Sequence, residues 1–152
     1  MESKGVGVTL IDVESAFAPP EIRAELEQFK GKKSEKPYNN REIGAVKRII
    51  GKLAGNYNCY ISIHCDAGAA KGAHTCYNSL ISHSAKSRHL AQCIGKRIIK
   101  IMGKATGKTG GNTGNTKGSD ELGAAIRNDL GILKVNSLPG CLVECGFYDN
   151  PK

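Results

Sequence analysis

Apolar positions recur along the chain in blocks whose spacing alternates between strand and helix. Val6 to Ile11 is rich in β-branched and aliphatic residues and ends at Asp12, which predicts a strand entering a loop through Ala18-Pro19. Pro20 suits the first turn of a helix, and Ile22, Leu26 and Phe29 make one apolar stripe that Gly31 closes. Lys32 to Lys36 is charged and Pro37 breaks it, so a surface connection precedes a second helix capped near Asn39 or Asn40. Ile43, Val46, Ile50 and Leu53 supply the buried stripe of that helix, and Gly55 stops it. Cys59 to His64 is a short, nearly continuous apolar run, the pattern of a strand covered on both faces in a parallel sheet, with His64 at its C-terminal end. Gly72 to Tyr77 is a weaker strand candidate. Ser84 starts a helix in which Leu90, Ile94, Ile98 and Ile101 repeat at helical spacing, and Gly103 ends it. Gly103, Gly107, Gly110, Gly111, Gly114 and Gly118 then mix with Thr, Asn and Lys in a stretch without periodicity, predicting a loop. Leu130 to Val135 reads as a strand, Ser137-Leu138-Pro139-Gly140 as a turn, and Cys141 to Cys145 as a further apolar strand. Strands alternating with helices predict an α/β fold, a mostly parallel central sheet flanked by helices on both faces, in one domain over residues 1–152. In such sheets functional groups collect where loops leave the C-terminal ends of strands, and His64 and Glu144 both fall there.

Composition narrows the function classes. Lys plus Arg total 22 against 14 Asp plus Glu, a formal balance of +8 that favours an anionic partner: nucleic acid, anionic lipid or anionic wall polymer. Aromatic residues are only 5% of the chain, too few for a platform on which single-stranded bases stack, so specific nucleic-acid binding is not expected. Six cysteines would suit three disulfides in a small secreted domain, but several sit inside apolar strand-like runs and are read as buried thiols. Met1-Glu2-Ser3-Lys4-Gly5 is followed by too short an apolar run for a signal peptide, and no segment reaches the length of a transmembrane helix.

Two residues carry chemical interest. A single imidazole ending an apolar strand, as His64 does, is commonly a hydrogen-bonded structural residue and only sometimes a metal ligand. Glu144 is embedded in Cys141-Leu142-Val143-Glu144-Cys145-Gly146-Phe147, where a carboxylate must be paired, protonated or on a cavity wall, because burying it alone costs several kcal/mol. A structural ion pair is the alternative to a catalytic role. Other signals are set aside. Met102-Gly103-Lys104-Ala105-Thr106-Gly107-Lys108-Thr109 nearly matches a phosphate-binding loop, but Met102 stands at the first glycine position and a helix precedes it. Cys141 and Cys145 lie roughly 13 Å apart along a strand, too far to share one zinc. His83 and His89 flank the start of a helix, off a common face, and are read as surface residues.

The pair gains meaning from its surroundings. Ile61-Ser62-Ile63-His64-Cys65-Asp66-Ala67 resembles the Ser-Ile-His-x-Asn-Ala segment of the zinc-dependent N-acetylmuramoyl-L-alanine amidases. Lys71-Gly72-Ala73-His74-Thr75-Cys76-Tyr77 resembles the Gly-x-Glu-Thr-x-Tyr strand that follows it in that family. The run from Leu138 to Asn150 resembles the most specific signature, Pro-Ala-Val-Leu-Val-Glu-x-Gly-Phe-x-x-Asn, and the matches occur in the family's order over residues 57–152. The resemblance implies that His64 binds Zn2+ and that Glu144 acts in catalysis, on the amide joining N-acetylmuramic acid to the L-alanine of the peptidoglycan stem peptide. Zinc with few protein ligands keeps an open position and lowers the pKa of bound water toward about 7, while a nearby carboxylate takes and returns the proton. The place of action implied is the bacterial cell wall, reached by secretion or by release from a phage-infected cell, with anionic wall polymers as further partners.

Two departures accompany the resemblance. The family's first histidine, in a Gly-His-Gly turn, and its ligand glutamate have no counterpart here, and Lys4 to Asp12 resembles the family's second strand instead. The expectation is therefore an amidase-like domain truncated at both ends, with one of three protein ligands. Glu14 and His74 are not expected to substitute, since His74 aligns with a non-ligand glutamate of the family pattern and reads as a cleft-lining residue. The alternative to an enzyme is a non-catalytic wall-binding module or an inactive amidase fragment.

Overall fold

The computed structural model describes residues 7–8, 40–66, 72–102, 120 and 122–147. The strand expected from Val6 to Ile11, apart from Gly7 and Val8, the helix expected from Pro20 to Gly31, the glycine-rich stretch from Gly103 to Gly118, and Glu14 lie outside them. The chain groups into two compact units, Met1–Ile49 and Ile50–Lys152.

Helix α1 is Asn40–Leu53, followed by one 3-10 turn at Ala54–Asn56. Its buried positions are Ala45, Ile49, Ile50 and Leu53, while Ile43 and Val46 are only partly buried. The predicted stripe is therefore rotated by about one residue, because small Ala45 buries where the larger Val46 was expected to. Within the second unit, β1 (Tyr60–Asp66), β2 (His74–Tyr77), β3 (Ala124–Ile126) and β4 (Gly140–Phe147) form one sheet in the order β1-β4-β2-β3. β1 pairs with β4 and β2 with β3 in parallel, and β2 pairs with β4 antiparallel, so two of the three pairings are parallel as the α/β reading expects.

Alternation along the strands sorts the side chains onto two faces. One face carries Cys141 and Val143 of β4, Tyr77 of β2 and Ala124 of β3, and helix α2 (Ser84–Met102) packs on it through Leu90, Ala91, Ile94 and Ile98. Ile101, counted in the predicted stripe, is exposed at the far end of α2. Buried Ser87 of α2 accepts a hydrogen bond from the Gly140 amide at 3.1 Å, and Thr75 Oγ1 lies 2.9 Å from the Ala91 carbonyl and 3.0 Å from the Gly123 carbonyl, which its single proton serves in turn. These polar ties fix the helix along the sheet where apolar contact alone is not directional. The opposite face carries Leu142, Cys76 and Ala125 and is covered by Leu130, Ile132 and Leu133.

Three expectations are corrected. Leu130 to Val135 is not a strand: Gly131–Lys134 forms a 3-10 turn, closed by a Leu133 amide to Leu130 carbonyl bond of 3.1 Å, and the strand of this region is Ala124–Ile126. Among the described residues β1 is not covered on both faces; it lies at one end of the four-strand order, with Ile61 and Ile63 47% and 69% exposed. Of the six thiols, only Cys76 and Cys141 are buried, while Cys59, Cys65, Cys93 and Cys145 are exposed.

Candidate active site

β4 leaves the core partway along its length. Gly140 to Val143 are buried, Glu144 is partly buried, and Cys145 is exposed, so the carboxylate stands where the apolar interior ends. The strand can deliver Glu144 there because its first half is locked. The ring of Tyr60 lies directly over Gly140, its hydroxyl donates to the Ile132 carbonyl at 2.9 Å, and its amide bonds the Pro139 carbonyl at 3.0 Å. A Cβ at position 140 would overlap that ring, so only glycine fits. Burial, and then neighbouring Cys141, pushes the Tyr60 phenol well above the usual tyrosine range, keeping it a neutral donor.

In the parallel register of β1 and β4, His64 is opposite Glu144. In the antiparallel register of β2 and β4, His74 is also opposite Glu144. Directly opposite residues point to the same face, so His64, Glu144 and His74 stand abreast in one row across three strands. The row lies on the face opposite α2, at the C-terminal ends of β1 and β4. The sequence-derived pair of His64 and Glu144 is thus brought together, although 80 residues separate them.

Each member has a distinct setting. Ser62 Oγ lies 2.8 Å from His64 Nε2, the two side chains sharing a face through the two-residue strand period. That contact fixes the ring and directs Nδ1 away from Ser62. Burial lowers the His64 pKa below its ordinary 6.5, which favours the neutral imidazole, the form with a lone pair to offer. His74 is 2% exposed, and its ring centroid is 6.4 Å from that of Phe147 at a tilt of 31°. His74 Nδ1 and Glu144 Oε2 are both buried atoms. Beyond the row the β1–β4 register shifts between His64 and Asp66, placing Asp66 opposite Phe147.

The sequence reading missed the position of two residues in this group. Ser62 carries no role of its own in the sequence motif, although its two-residue spacing from His64 already puts both on one face. His74 was read as cleft-lining, yet it is buried beside Glu144. No local signal marks that neighbourhood, because it depends on β2 running antiparallel to β4. Of the residues set aside, Cys141 is a packing residue in the core, Cys145 is exposed, and His89 is exposed on α2. Among the described residues, no three His, Cys, Asp or Glu side chains lie together so as to hold a metal ion.

The family model described as N-acetylmuramoyl-L-alanine amidase matches residues 28–152. No curated protein is significantly similar to the chain. Among solved structures, the CwlD amidase from Clostridioides difficile, in complex with the GerS lipoprotein, is 24% identical with a TM-score of 0.50, over 79% of this chain and 55% of that one. The N-acetylmuramyl-L-alanine amidase Ami1 from Mycobacterium smegmatis is 21% identical with a TM-score of 0.53, over 86% and 59%. The apo form of Ami1 from Mycobacterium abscessus is 20% identical with a TM-score of 0.51, over 85% and 59%. At these identities the likeness is one of fold, and the chain spans somewhat over half the length of each structure.

Proposed function

The chain belongs to the N-acetylmuramoyl-L-alanine amidase family, and from that premise we propose that it hydrolyses peptidoglycan at the amide between N-acetylmuramic acid and the L-alanine of the stem peptide, in a zinc-dependent reaction. The observation that carries the reading is the row placing an imidazole and a carboxylate side by side where β1 and β4 leave the core. Glu144, partly buried and opposite His64, is the proton carrier. It takes a proton from the attacking water as the oxygen bonds to the amide carbon, and returns it to the nitrogen as the carbon–nitrogen bond breaks. The products are the lactyl carboxylate of the sugar and a stem peptide with a free amino terminus.

His64 suits zinc as one donor, since its imidazole is held neutral by burial and oriented by Ser62. A catalytic zinc needs about three protein ligands, so the described residues would supply one corner of such a shell, and the other donors would have to come from outside them. When bound, zinc supplies carbonyl polarisation and an acidified water. Anionic wall polymers are proposed as secondary partners, from the +8 balance.

The test uses purified protein with and without zinc on isolated sacculi, reading newly freed L-alanine amino termini and bound zinc. Zinc-dependent release that falls by about 100-fold or more in Glu144→Gln is the expected result. Wall binding without release would overturn the reading and leave a non-catalytic module.

A further inference from the structure

Of the three residues in the row, His74 has no part in the proposed proton transfer. Its setting is unusual for a residue with only a packing role. Its neighbour on the same face of β2, Cys76, is 1% exposed and packs against Leu142. Beside that apolar cluster an imidazole brings two polar nitrogens into a place that an aliphatic side chain would fill without desolvation cost. At 2% exposure the ring is out of reach of a polymeric substrate, whereas Glu144 lies at the boundary of the core. Directly opposite residues of antiparallel strands have Cβ atoms about 4.5–5.5 Å apart, so both side chains leave neighbouring strands toward one face, and both bring a buried polar atom there, His74 Nδ1 and Glu144 Oε2. Phe147, at the far side, limits the planes that the ring can adopt.

Resting on the amidase reading, we infer that His74 is a positioning residue: from β2 it holds the Glu144 carboxylate in the row, turned toward His64, and itself touches no substrate. A glutamate has three side-chain torsions, and at the edge of the core its carboxylate can swing out into solvent. A buried imidazole beside it offers a fixed polar contact on the inner side, leaving the outer oxygen to exchange protons with water and leaving group. β4 therefore has a functional neighbour on each side: His64 on β1 toward the substrate, and His74 on β2 toward the core.

Two measurements on the full chain test this. In the metal-free protein, the imidazole nitrogen chemical shifts of His74 report its tautomer, with His83 and His89 as internal references. Glu144→Gln is expected to change the tautomer balance of His74, and an unchanged balance would overturn the inference. In the zinc-supplemented protein acting on sacculi, His74→Phe keeps the ring packing and removes the nitrogens. It is expected to lower kcat about 10- to 100-fold at near-constant KM, with His74→Gln recovering part of the loss. In a Glu144→Gln background, His74→Phe should cost nothing more, whereas a purely structural role would add its loss in either background. Full kcat in His74→Phe, beside an inactive Glu144→Gln, would sink the His74 inference while sparing the amidase reading. No release by the unaltered protein would sink the amidase reading, and the tautomer measurement would still decide whether His74 and Glu144 are coupled. Should His74→Phe fail to fold, His74→Gln carries the kinetic comparison, with wild-type kcat counting against the inference.

Discussion

Cys141 sits wholly inside the sheet, and burial, followed by the nearby Cys59 thiol, pushes its pKa up to about 12. It is a neutral apolar filler at neutral pH, since the thiolate is the reactive form. Alkylation of the folded protein with iodoacetamide should label Cys59, Cys65, Cys93 and Cys145 and spare Cys76 and Cys141 until denaturant is added, as mass spectrometry of the labelled peptides would show. Asp120 is held in the opposite sense. Burial alone would raise its carboxyl, but Gln92 Nε2 at 2.8 Å, the Ala124 and Leu122 amides at 3.0 Å each, and the Arg88 guanidinium at 4.0 Å together bring it below the ordinary 3.8. Between the lowered folded value and the unfolded one, the unfolded chain binds the extra proton. The contribution of Asp120 is therefore complete above the ordinary value and lost as pH falls through the folded one. Urea midpoints measured from neutral to acid pH should fall less steeply in Asp120→Asn than in the unaltered protein.

Among the elements, β4 depends on a single close approach. Gly140→Ala would press a methyl into the Tyr60 ring and strain the Tyr60 to Ile132 bond with it. Overpacking of this kind costs about 1–3 kcal/mol, to be read as a lowered denaturation midpoint, and a wild-type midpoint would mean that the ring gives way freely. How far the elements could be read from sequence follows the same physics. α2 was legible to both ends, because Leu90, Ile94 and Ile98 keep helical spacing and a glycine follows Met102. β3 was not, because Ala124-Ala125-Ile126 is short and its alanines carry little strand preference, while the more apolar run after it attracted the strand assignment. That run bends into a 3-10 turn and gives its Ile132 carbonyl to Tyr60, a partner 72 residues away that no local pattern contains. β1 misled through composition: Ile61 and Ile63 resemble core residues, yet each faces outward at the end of the strand order.

At the scale of the whole molecule, charge is the property most open to test. α2 contains no acidic residue and exposes Lys86, Arg88, Lys96, Arg97 and Lys100, consistent with the overall +8. No described helix is long and apolar enough to cross a membrane. Binding to sacculi that retain anionic polymers should weaken as salt rises from about 0.05 to 0.5 M and should weaken less on stripped sacculi, since exposed charges are screened over about 10 Å at 0.1 M. Equal binding under all four conditions would remove charge from the account. The site was legible only in part for a topological reason. Motifs named His64 and Glu144 one strand at a time, but the row exists through strand order, and the reversed direction of β2 is what brings His74 to it.

That strand order also dictates a sequence of assembly. β1 and β2 are joined by a short stretch of chain yet never bond to one another, each waiting for β4 to slide between them. A ribosome that has delivered residues 60–130 holds an unpaired β1 and a β2–β3 pair, both with bare amide edges, and His64 and His74 without Glu144 between them. The row can then form only once residues 140–147 are available, and a chain stalled before that point lacks it and is prone to clump.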